Sequence, residues 1–306
     1  MEFGKLNDIS QINFELAPTP AFSQRVLTNL PAKNNSQQPQ IYVGCTGWAN
    51  KTWVGSYYSP QTRPDDYLTQ YARQFNTVEL NATHYQLPAI EMVKTWAKKA
   101  ANRPFKFAPK MLQTVSHASE LKHAIATMQQ FCEHVRYFEQ QLGLVFTQLP
   151  ERAGLAQKAD IEHYLRHFPA DIPHALELRH GSFFANTDEK AFAELLAQYN
   201  CSAVITDVAG RRDVLHQYLC NDTTVVRFVG NQNPVSDQKR IIAWVEKLKE
   251  WVSYGLKNIY FFCHQPDNSQ AAELATFLCG QIHQQTNWAI SPPRIWQKPE
   301  NPLTLF

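Results

Sequence analysis

Short runs of apolar and β-branched residues recur along the chain and alternate with longer amphipathic segments. Eight runs have the length and composition of strands: IYVGCTGW (41–48), TVELNATHY (77–85), FKFAPKM (105–111), LGLVFTQLP (142–150), HALELRH (174–180), SAVITD (202–207), TTVVRFVG (223–230) and NIYFFCH (258–264). Helices are predicted between them, with clear amphipathic spacing in residues 65–75, 120–141, 188–199 and 237–255. The segment after the sixth strand, RRDVLHQYLC, is the shortest predicted helix, at under about three turns.

This alternation predicts an α/β protein with a parallel sheet, and eight strand–helix units favour a single (β/α)8 TIM-type barrel. The two ends of the chain differ from the middle. Residues 31–40 (PAKNNSQQPQ) are a polar stretch typical of a linker, and residues 291–306 are rich in proline. We therefore expect an irregular extension over 1–40, the barrel over 41–290 and a tail over 291–306.

Composition excludes several classes of protein. Hydrophobic residues make up 44% of the 306 residues and charged residues 18%, which is typical of a globular chain. A net charge of +2 argues against a protein that coats nucleic acid. The chain has no apolar run of about 18 residues and no signal-peptide pattern, so no membrane association is expected. The six cysteines are far apart in sequence, which favours a reducing, cytoplasmic compartment.

Polar residues are concentrated where the predicted strands end. Glu79 and Asn81 share one face of the second strand, Glu177 and Arg179 share one face of the fifth, and Lys110 ends the third. Barrel strands are buried on both faces, and their carboxyl ends form the catalytic mouth of the barrel. We therefore expect these side chains to meet at that mouth. The late positions of the other strands add Gln148, Asp207, Arg227 and His264.

Five segments occur in a characteristic order: GCTGWANKTWVGSYYSP (44–60), YARQFNTVELNATHYQLP (71–88), FKFAPKM (105–111), LGLVFTQLP (142–150) and LELRH (176–180). Together they resemble the YecE-like family, the domain of unknown function numbered 72, over roughly residues 41–285. The resemblance implies a TIM-type barrel without an established activity. It implies that the barrel mouth uses Gly47, Trp48, Glu79, Asn81, Tyr85, Lys110, Gln148, Glu177, Arg179, Asp207 and Arg227. The chain departs from the family pattern at Val229, usually His, and at FFCHQ (261–265), which replaces an Asn-rich strand end.

Two of these features have more than one interpretation. Lys110 could be a Schiff-base nucleophile with a lowered pKa, could bind a phosphate or carboxylate, or could pair structurally with Glu79 or Glu177. Glu177 and Arg179 could form a structural ion pair or belong to a site in which the Arg clamps a carboxylate.

A metal site is a further alternative. Carboxylate and imidazole ligands suit Mg, Mn or Zn. The chain has no H-E-x-x-H motif and no H-x-H in its first strand, and neighbouring arginines would disfavour a dication. No cofactor is therefore predicted, although a divalent metal remains the alternative. Its ligands would be Glu79, Glu177, Asp207 and His264.

The loop after the first strand is dense in aromatic residues, namely Trp48, Trp53, Tyr57 and Tyr58. These rings would either stack on a sugar or base or pack over the barrel mouth, and packing is the favoured interpretation. The chain contains no P-loop, no G-x-S-x-G motif and no zinc-finger spacing, so nucleotide hydrolysis by those routes is not expected.

The function predicted from these features is an enzyme that acts on a small phosphate- or carboxylate-bearing substrate by acid–base chemistry. The predicted catalytic residues are Glu79, Glu177, Asp207 and Lys110, with Glu79 and Glu177 first as general acid and base. The predicted substrate-binding residues are Trp48, Asn81, Tyr85, Gln148, Arg179, Arg227 and His264. The alternatives are a barrel that binds a ligand or nucleic acid without chemistry, and a metal-dependent phosphoesterase or isomerase. The reaction type (hydrolase, lyase or isomerase) and the oligomeric state stay open.

Overall fold

Eight strands form the centre of the protein in a computed structural model that describes residues 4–30, 38–101, 103–184, 189–266 and 268–296. They are β1 (Gln40–Cys45), β2 (Thr77–Leu80), β3 (Lys106–Pro109), β4 (Val145–Gln148), β5 (His174–Glu177), β6 (Ser202–Asp207), β7 (Thr223–Val229) and β8 (Asn258–His264). Each overlaps one of the eight predicted runs. Every ladder between them is parallel, so the predicted α/β class is confirmed.

The hydrogen-bonded ladders divide the strands into two sheets. Six strands form a curled sheet in the order β1-β8-β7-β6-β5-β4, and β2 pairs with β3 in a second sheet. Two isolated bridges, Phe107 with Leu142 and Lys110 with Phe146, join β3 to the β4 region.

Side chains connect β1 to β2, where no ladder forms. The Tyr71 hydroxyl donates to the Thr77 carbonyl (2.9 Å) and accepts from the Cys45 amide (2.7 Å). Asn76 contacts the β1 backbone through both ends of its amide group. The approach requires glycine at position 44, because a Cβ there would lie 2.0 Å from the Thr77 carbonyl oxygen.

The side chains of each strand alternate between two apolar layers. The small layer on the concave side of the curled sheet consists of Leu144, Phe146, Ala175, Val204, Val225, Tyr260 and Phe262, and Ala108 of β3 joins it from the second sheet. The other face packs under the helices in the main core. This alternation directs the last inward positions of the strands towards one another, above the ring of Phe146.

The described helices lie around the sheets. They are α1 (Ala21–Thr28), α2 (Tyr67–Gln74), α3 (Ala82–Tyr85), α4 (Ile90–Ala100), α5 (Gln113–Ser116), α6 (Ile125–Val135), α7 (Lys158–His167), α8 (Glu189–Gln198), α9 (Pro234–Tyr254) and α10 (Ala271–Gln285). Helix α9 illustrates why they begin and end where they do. The Asn233 side chain accepts from the Ser236 amide at its start, and Gly255 at φ 121° ends it.

The prediction of a helix in RRDVLHQYLC is wrong, because the structure has only a 3₁₀ segment, Ala209–Val214, between β6 and β7. Arg211 has non-helical backbone angles inside it (φ −135°, ψ 54°) and pairs with Asp213. Arg212 instead turns to Asp207. The local charges therefore satisfy one another in a way that a continuous helix would prevent.

The expectation of an irregular N-terminal extension is wrong for α1. Its Ser23 hydroxyl donates to the Gln217 carbonyl (3.2 Å) and accepts from the Leu219 amide (2.9 Å), and Leu27 is buried. Just before the helix, the Thr19 hydroxyl accepts from Trp251 in α9. Helix α1 thus packs beside α9 and beside the segment after β6 that forms no α-helix of its own.

Two smaller boundaries also differ from expectation. The second predicted strand was too long, because β2 ends at Leu80 and α3 begins at Ala82. Residues 291–296 of the predicted tail contain no regular element, and 31–37 and 297–306 lie outside the described residues. Within the described ranges, none of the helices combines the length and apolar character needed to cross a bilayer.

Candidate functional site

Seven polar side chains from six strand ends meet on the concave side and form the carboxyl-edge cluster. Its members are Glu79, Lys110, Gln148, Glu177, Arg179, Arg227 and His264, and all seven are buried. Each was predicted from its position at the end of a strand. The topology brings them together because parallel strands end at the same edge of a sheet.

Arg227 of β7 is the centre of the cluster. Its Nε and Nη2 atoms donate to the two carboxylate oxygens of Glu79 at 2.9 and 2.8 Å. Its Nη1 atom donates to Glu177 Oε2 at 2.7 Å. A guanidinium is planar and has five donors, so one side chain can hold two carboxylates from opposite sides of the site.

Both carboxylates have further partners. Glu177 accepts from Arg179 Nε at 2.6 Å and from the Thr206 hydroxyl at 3.0 Å. Glu79 accepts from Asn81 Nδ2 at 2.9 Å and lies 2.9 Å from His264 Nε2. Thr206 was missed from the sequence, because a buried threonine in a strand looks like an ordinary β-former.

Lys110 differs from the other charged members of the cluster. Its ammonium donates to Gln148 Oε1 at 3.1 Å and lies 5.8 Å from the centre of the Phe146 ring. Within the described residues it forms no ion pair. The structural pairing of Lys110 with Glu79 or Glu177 is therefore wrong.

The carboxylates of the cluster are held in their ionised form. Burial opposes the ionisation of Glu79, but Arg227 and His264 outweigh it and hold the pKa of this carboxyl well below its usual range. Burial also opposes the ionisation of Glu177, but Arg179 and Arg227 lower its pKa to about 2. Neither group is suited to donate a proton near neutral pH, so the predicted role of general acid is not favoured.

The ammonium of Lys110 is destabilised. Burial and the nearby Arg227 charge lower the pKa of Lys110 to about 8, although Glu79 and Glu177 act in the opposite direction. Burial also lowers the pKa of His264, against the attraction of Glu79. At neutral pH the cluster therefore has three cationic side chains and two carboxylates, with His264 neutral.

Two histidines lie close to Lys110, namely His84 and His117, which the sequence had offered, with His180, only as further candidates for a metal site. Burial, together with the charges of Lys110 and His117, lowers the pKa of His84 to about 4, although the contact with the Met111 carbonyl acts in the opposite direction. His84 Nδ1 contacts the Met111 carbonyl at 2.7 Å, and the His84 and His117 rings are 5.5 Å apart. No motif marks these histidines, because α3 and the loop after β3 meet only in the folded chain.

Asp207 does not join the cluster, contrary to expectation. It faces α9, where Trp244 Nε1 donates to it at 2.7 Å and Arg240 lies at 2.8 Å, and Arg212 pairs with it from the 3₁₀ segment. Residue 206 occupies the inward position at the end of β6 instead. Both faces of the strand carry apolar residues and each ends in a polar one, Thr206 or Asp207, so the sequence could not show which of the two points inward.

Tyr85 and Trp48 also lie apart from the charged network. Tyr85 is 78% exposed at the end of α3 and contacts the ring of His84. Trp48 packs edge-on against Trp96 and Phe107, as the packing interpretation of this loop expected. Trp48 also lines a cavity of about 450 Å³ that the first loop shares with the end of β2.

The four potential metal ligands do not come together. Glu79 contacts His264, but the Arg227 guanidinium lies between Glu79 and Glu177, and Asp207 faces α9. Among the described residues, the structure contains no group of three His, Cys, Asp or Glu side chains placed to hold a metal ion.

A family model described as a protein of unknown function, DUF72, matches residues 42–299. The chain belongs to the DUF72 family. This confirms the YecE-like resemblance of the sequence motifs. The chain is 29% identical to the UPF0759 protein YecE of Escherichia coli K12 over 253 residues, or 76% of this chain and 89% of that protein. It is 26% identical to the UPF0759 protein YunF of Bacillus subtilis over 153 residues, or 47% of this chain and 52% of that protein.

Solved structures of DUF72 proteins share the fold. A DUF72 protein from Enterococcus faecalis superposes with a TM-score of 0.62 at 19% sequence identity. The superposition covers 81% of this chain and 99% of the Enterococcus faecalis chain. For a DUF72 protein from Thermotoga maritima the TM-score is 0.61 at 21% sequence identity, and the superposition covers 80% of this chain and 99% of the Thermotoga maritima chain. These names state no specific activity for the DUF72 family, and evidence on function therefore comes from the site.

Proposed function

We propose that this DUF72 protein is an enzyme that binds a small anionic substrate at the carboxyl-edge cluster and transfers a proton through Lys110. The observation that carries the proposal is the buried Lys110 ammonium, whose partner among the described residues is an amide oxygen and not a carboxylate. A phosphate or carboxylate group beside it would supply the missing negative charge.

Charge balance favours an anion at this position. A buried charge is costly unless it is paired, and the cluster contains one more cation than it has carboxylates. Arg179 extends the cationic surface next to Lys110, since the charge of Arg179 contributes to the lowered pKa of Lys110. The substrate anion would bind between these two residues, and the Arg227 network would hold Arg179 in place through Glu177.

Proton transfer is assigned to Lys110 because its pKa of about 8 lies close to neutral pH. A group with a pKa near the working pH is available in both protonation states and is an effective acid–base catalyst. Glu79 and Glu177 then act as fixed negative charges that orient Arg227. This changes the roles predicted for them from the sequence.

We further propose that the eight strands close into one barrel. The bridges between β3 and the β4 region and the Tyr71 and Asn76 contacts between β1 and β2 support this closure. A cytoplasmic location is also proposed, and it is supported by six cysteines that are all buried and unpaired.

The proposal is tested by ligand-induced thermal shifts of matched lysine variants. Inorganic phosphate and acetate are titrated against the wild type, Lys110→Met and Lys106→Met, whose lysine lies at the opposite end of β3. We expect one of the two anions to stabilise the wild type and Lys106→Met, by about 2.7 kcal/mol at 100 times Kd, and to have no effect on Lys110→Met. An equal shift in all three proteins would place the anion elsewhere.

Catalysis is tested separately from binding. Anionic metabolites that shift the wild type are incubated with it and followed by NMR for conversion. We expect the wild type to consume the ligand at a rate whose pH dependence shows an apparent pKa near 8, and we expect Lys110→Met to leave the ligand unchanged. This result would support the assignment. A ligand that binds at Lys110 but is recovered unchanged would instead identify a binding protein.

A further inference from the structure

A cavity of about 450 Å³ lies next to the carboxyl-edge cluster, between the loop after β1 and the end of β2. Its volume is within the range of about 300–1,000 Å³ that is usual for small-molecule sites. Among the described residues none of its lining side chains is charged, and its polar groups come mainly from Thr46, Trp48, Asn50, Asn81 and Asn268. An uncharged, hydrogen-bonding part of a ligand therefore suits it better than a second anion.

The cavity and Lys110 are direct neighbours. Asn81 follows β2 and Lys110 follows β3, and the Lys110 amide donates to the Leu80 carbonyl at 3.2 Å. Adjacent strands lie about 4.8 Å apart, so one small molecule can reach both positions. The Asn81 side chain also joins the two regions, because its Nδ2 atom donates to Glu79 Oε1 at 2.9 Å.

Polar atoms of the lining residues remain available for a ligand. The Asn81 amide donates to Glu79 and, at 3.5 Å, to the Thr46 carbonyl, which leaves its Oδ1 atom as an acceptor without a partner in the described part of the chain. The Trp48 indole nitrogen likewise has no hydrogen-bond partner among the described residues, although the Trp48 carbonyl has one. A free acceptor and a free donor on residues that line one cavity match a hydroxyl group, which can act as both.

We infer that the substrate is a polyhydroxylated anion of the size of a sugar phosphate or sugar acid, with its hydroxylated part in this cavity. The inference rests on the proposed function, which places the anionic group at Lys110 and Arg179. The ring of Trp48 supplies an apolar wall, and Asn81 supplies a hydrogen-bonding group that also contacts Glu79 of the carboxyl-edge cluster.

A cavity at the opposite ends of the strands does not fit this role. It measures about 620 Å³ and lies at the amino ends of the strands, where it is lined by Tyr42, His174, Asn258 and several charged residues. A molecule bound there would be separated from Lys110 by the apolar layer of the concave face. This cavity therefore provides the matched control.

The experiment compares two alanines that line the two cavities and are exposed, so that a larger side chain is tolerated. Ala49→Trp narrows the inferred cavity, and Ala170→Trp narrows the other. The Kd values of inorganic phosphate, acetate, a panel of pentose and hexose phosphates, and a panel of sugar acids are measured by calorimetry for both variants and the wild type.

We expect at least one panel member to bind the wild type about tenfold or more tightly than the free anion it carries, which is the scale of one good additional contact. Ala49→Trp should lose this advantage and keep its affinity for the free anion, and Ala170→Trp should keep both. Asn81→Leu should lose a similar part of the advantage, because it removes the amide beside Lys110.

The inference is overturned if every panel member binds no more tightly than its free anion, or if Ala170→Trp rather than Ala49→Trp removes the advantage. In both cases binding of the free anion at Lys110 leaves the proposed function standing. Absence of any anion binding in the wild type would overturn the proposed function, and the inference with it.

Discussion

Two clusters of buried or half-buried charged side chains in the described part of the chain differ in their balance of charge. The carboxyl-edge cluster places three cationic side chains around two carboxylates on the concave side of the sheet. The second, here named the Asp207 cluster, comprises Asp207, Arg212, Asp237 and Arg240 on the helix side of β6 and β7, and it has two charges of each sign.

The difference shows that burial of charge does not by itself mark a site. In the Asp207 cluster the carboxylate of Asp207 is held by two arginines and Trp244, and the Phe14 ring covers Arg240 at 4.8 Å. In the carboxyl-edge cluster Lys110 lies next to a cavity and, within the described part of the chain, contacts an amide oxygen and forms no ion pair. An unbalanced charge beside open space indicates a ligand, whereas a balanced and covered network indicates structure.

The largest effect is expected from Arg227→Met, which breaks the carboxyl-edge cluster at its centre. Two buried carboxylates would lose their main partner, so we expect the free energy of unfolding to fall by about 3–5 kcal/mol at pH 7. Because protonation relieves two unpaired carboxylates, the loss should be smaller at pH 4. Urea denaturation measures both values, and a loss below about 1 kcal/mol would show that the cluster does not depend on Arg227.

The second prediction concerns the pH dependence of the free energy of unfolding, compared between the wild type and Lys110→Met. The folded-state pKa of Lys110 is lowered to about 8 from 10.5, so the unfolded chain binds this proton more tightly and the ammonium costs stability below pH 8. The cost is relieved as pH rises from 8 to 10.5. The wild type should therefore gain about 3 kcal/mol relative to Lys110→Met between pH 7 and 10.5. A difference that stays constant with pH would contradict the lowered pKa.

Arg240→Met breaks the balanced cluster. Asp207 keeps Arg212 and Trp244, so we expect a smaller loss of about 1–3 kcal/mol in the free energy of unfolding. Binding of inorganic phosphate or acetate should not change, because this cluster faces α9. A weakened anion affinity in a folded Arg240→Met protein would remove the functional distinction between the two clusters.

The smallest effect is expected from Phe14→Leu, which replaces the aromatic ring that packs over the arginines of the Asp207 cluster. The substitution keeps an apolar side chain but removes the ring over Arg212 and Arg240. Loss of the cation–π contacts should lower the unfolding free energy by about 0.5–1 kcal/mol without altering anion affinity. Equal stability of the two proteins would show that the N-terminal segment does not stabilise this cluster.

Much of the candidate site was predictable from strand ends alone. Glu79 with Asn81, and Glu177 with Arg179, are two residues apart, and the period of a strand places such pairs on one face. Asp207 was assigned to the wrong side, since both faces of β6 are mixed and each ends in a polar residue, so the alternation does not show which face points inward. The same limit concealed Thr206, which completes the hydrogen bonds of Glu177.

The N-terminal extension shows a second limit. Helix α1 has eight residues, which is too short for a stable isolated helix, and it forms here because Leu27 and Ser23 are buried against the body of the protein. Helix α1 packs beside α9 and against the segment after β6, which forms no α-helix of its own. Neither fact has a local signal in the sequence.

The sequence by itself determined the alternation of strands and helices, the parallel sheet, the family and the strand ends at which charged residues lie. These follow from local periodicity and from motifs that occur in order. Only the tertiary structure decided that Arg227 takes both carboxylates, that Lys110 is left with Gln148, and that Asp207 faces a helix. Such pairings depend on distances between residues far apart in the chain, and burial then converts each pairing into a shifted pKa.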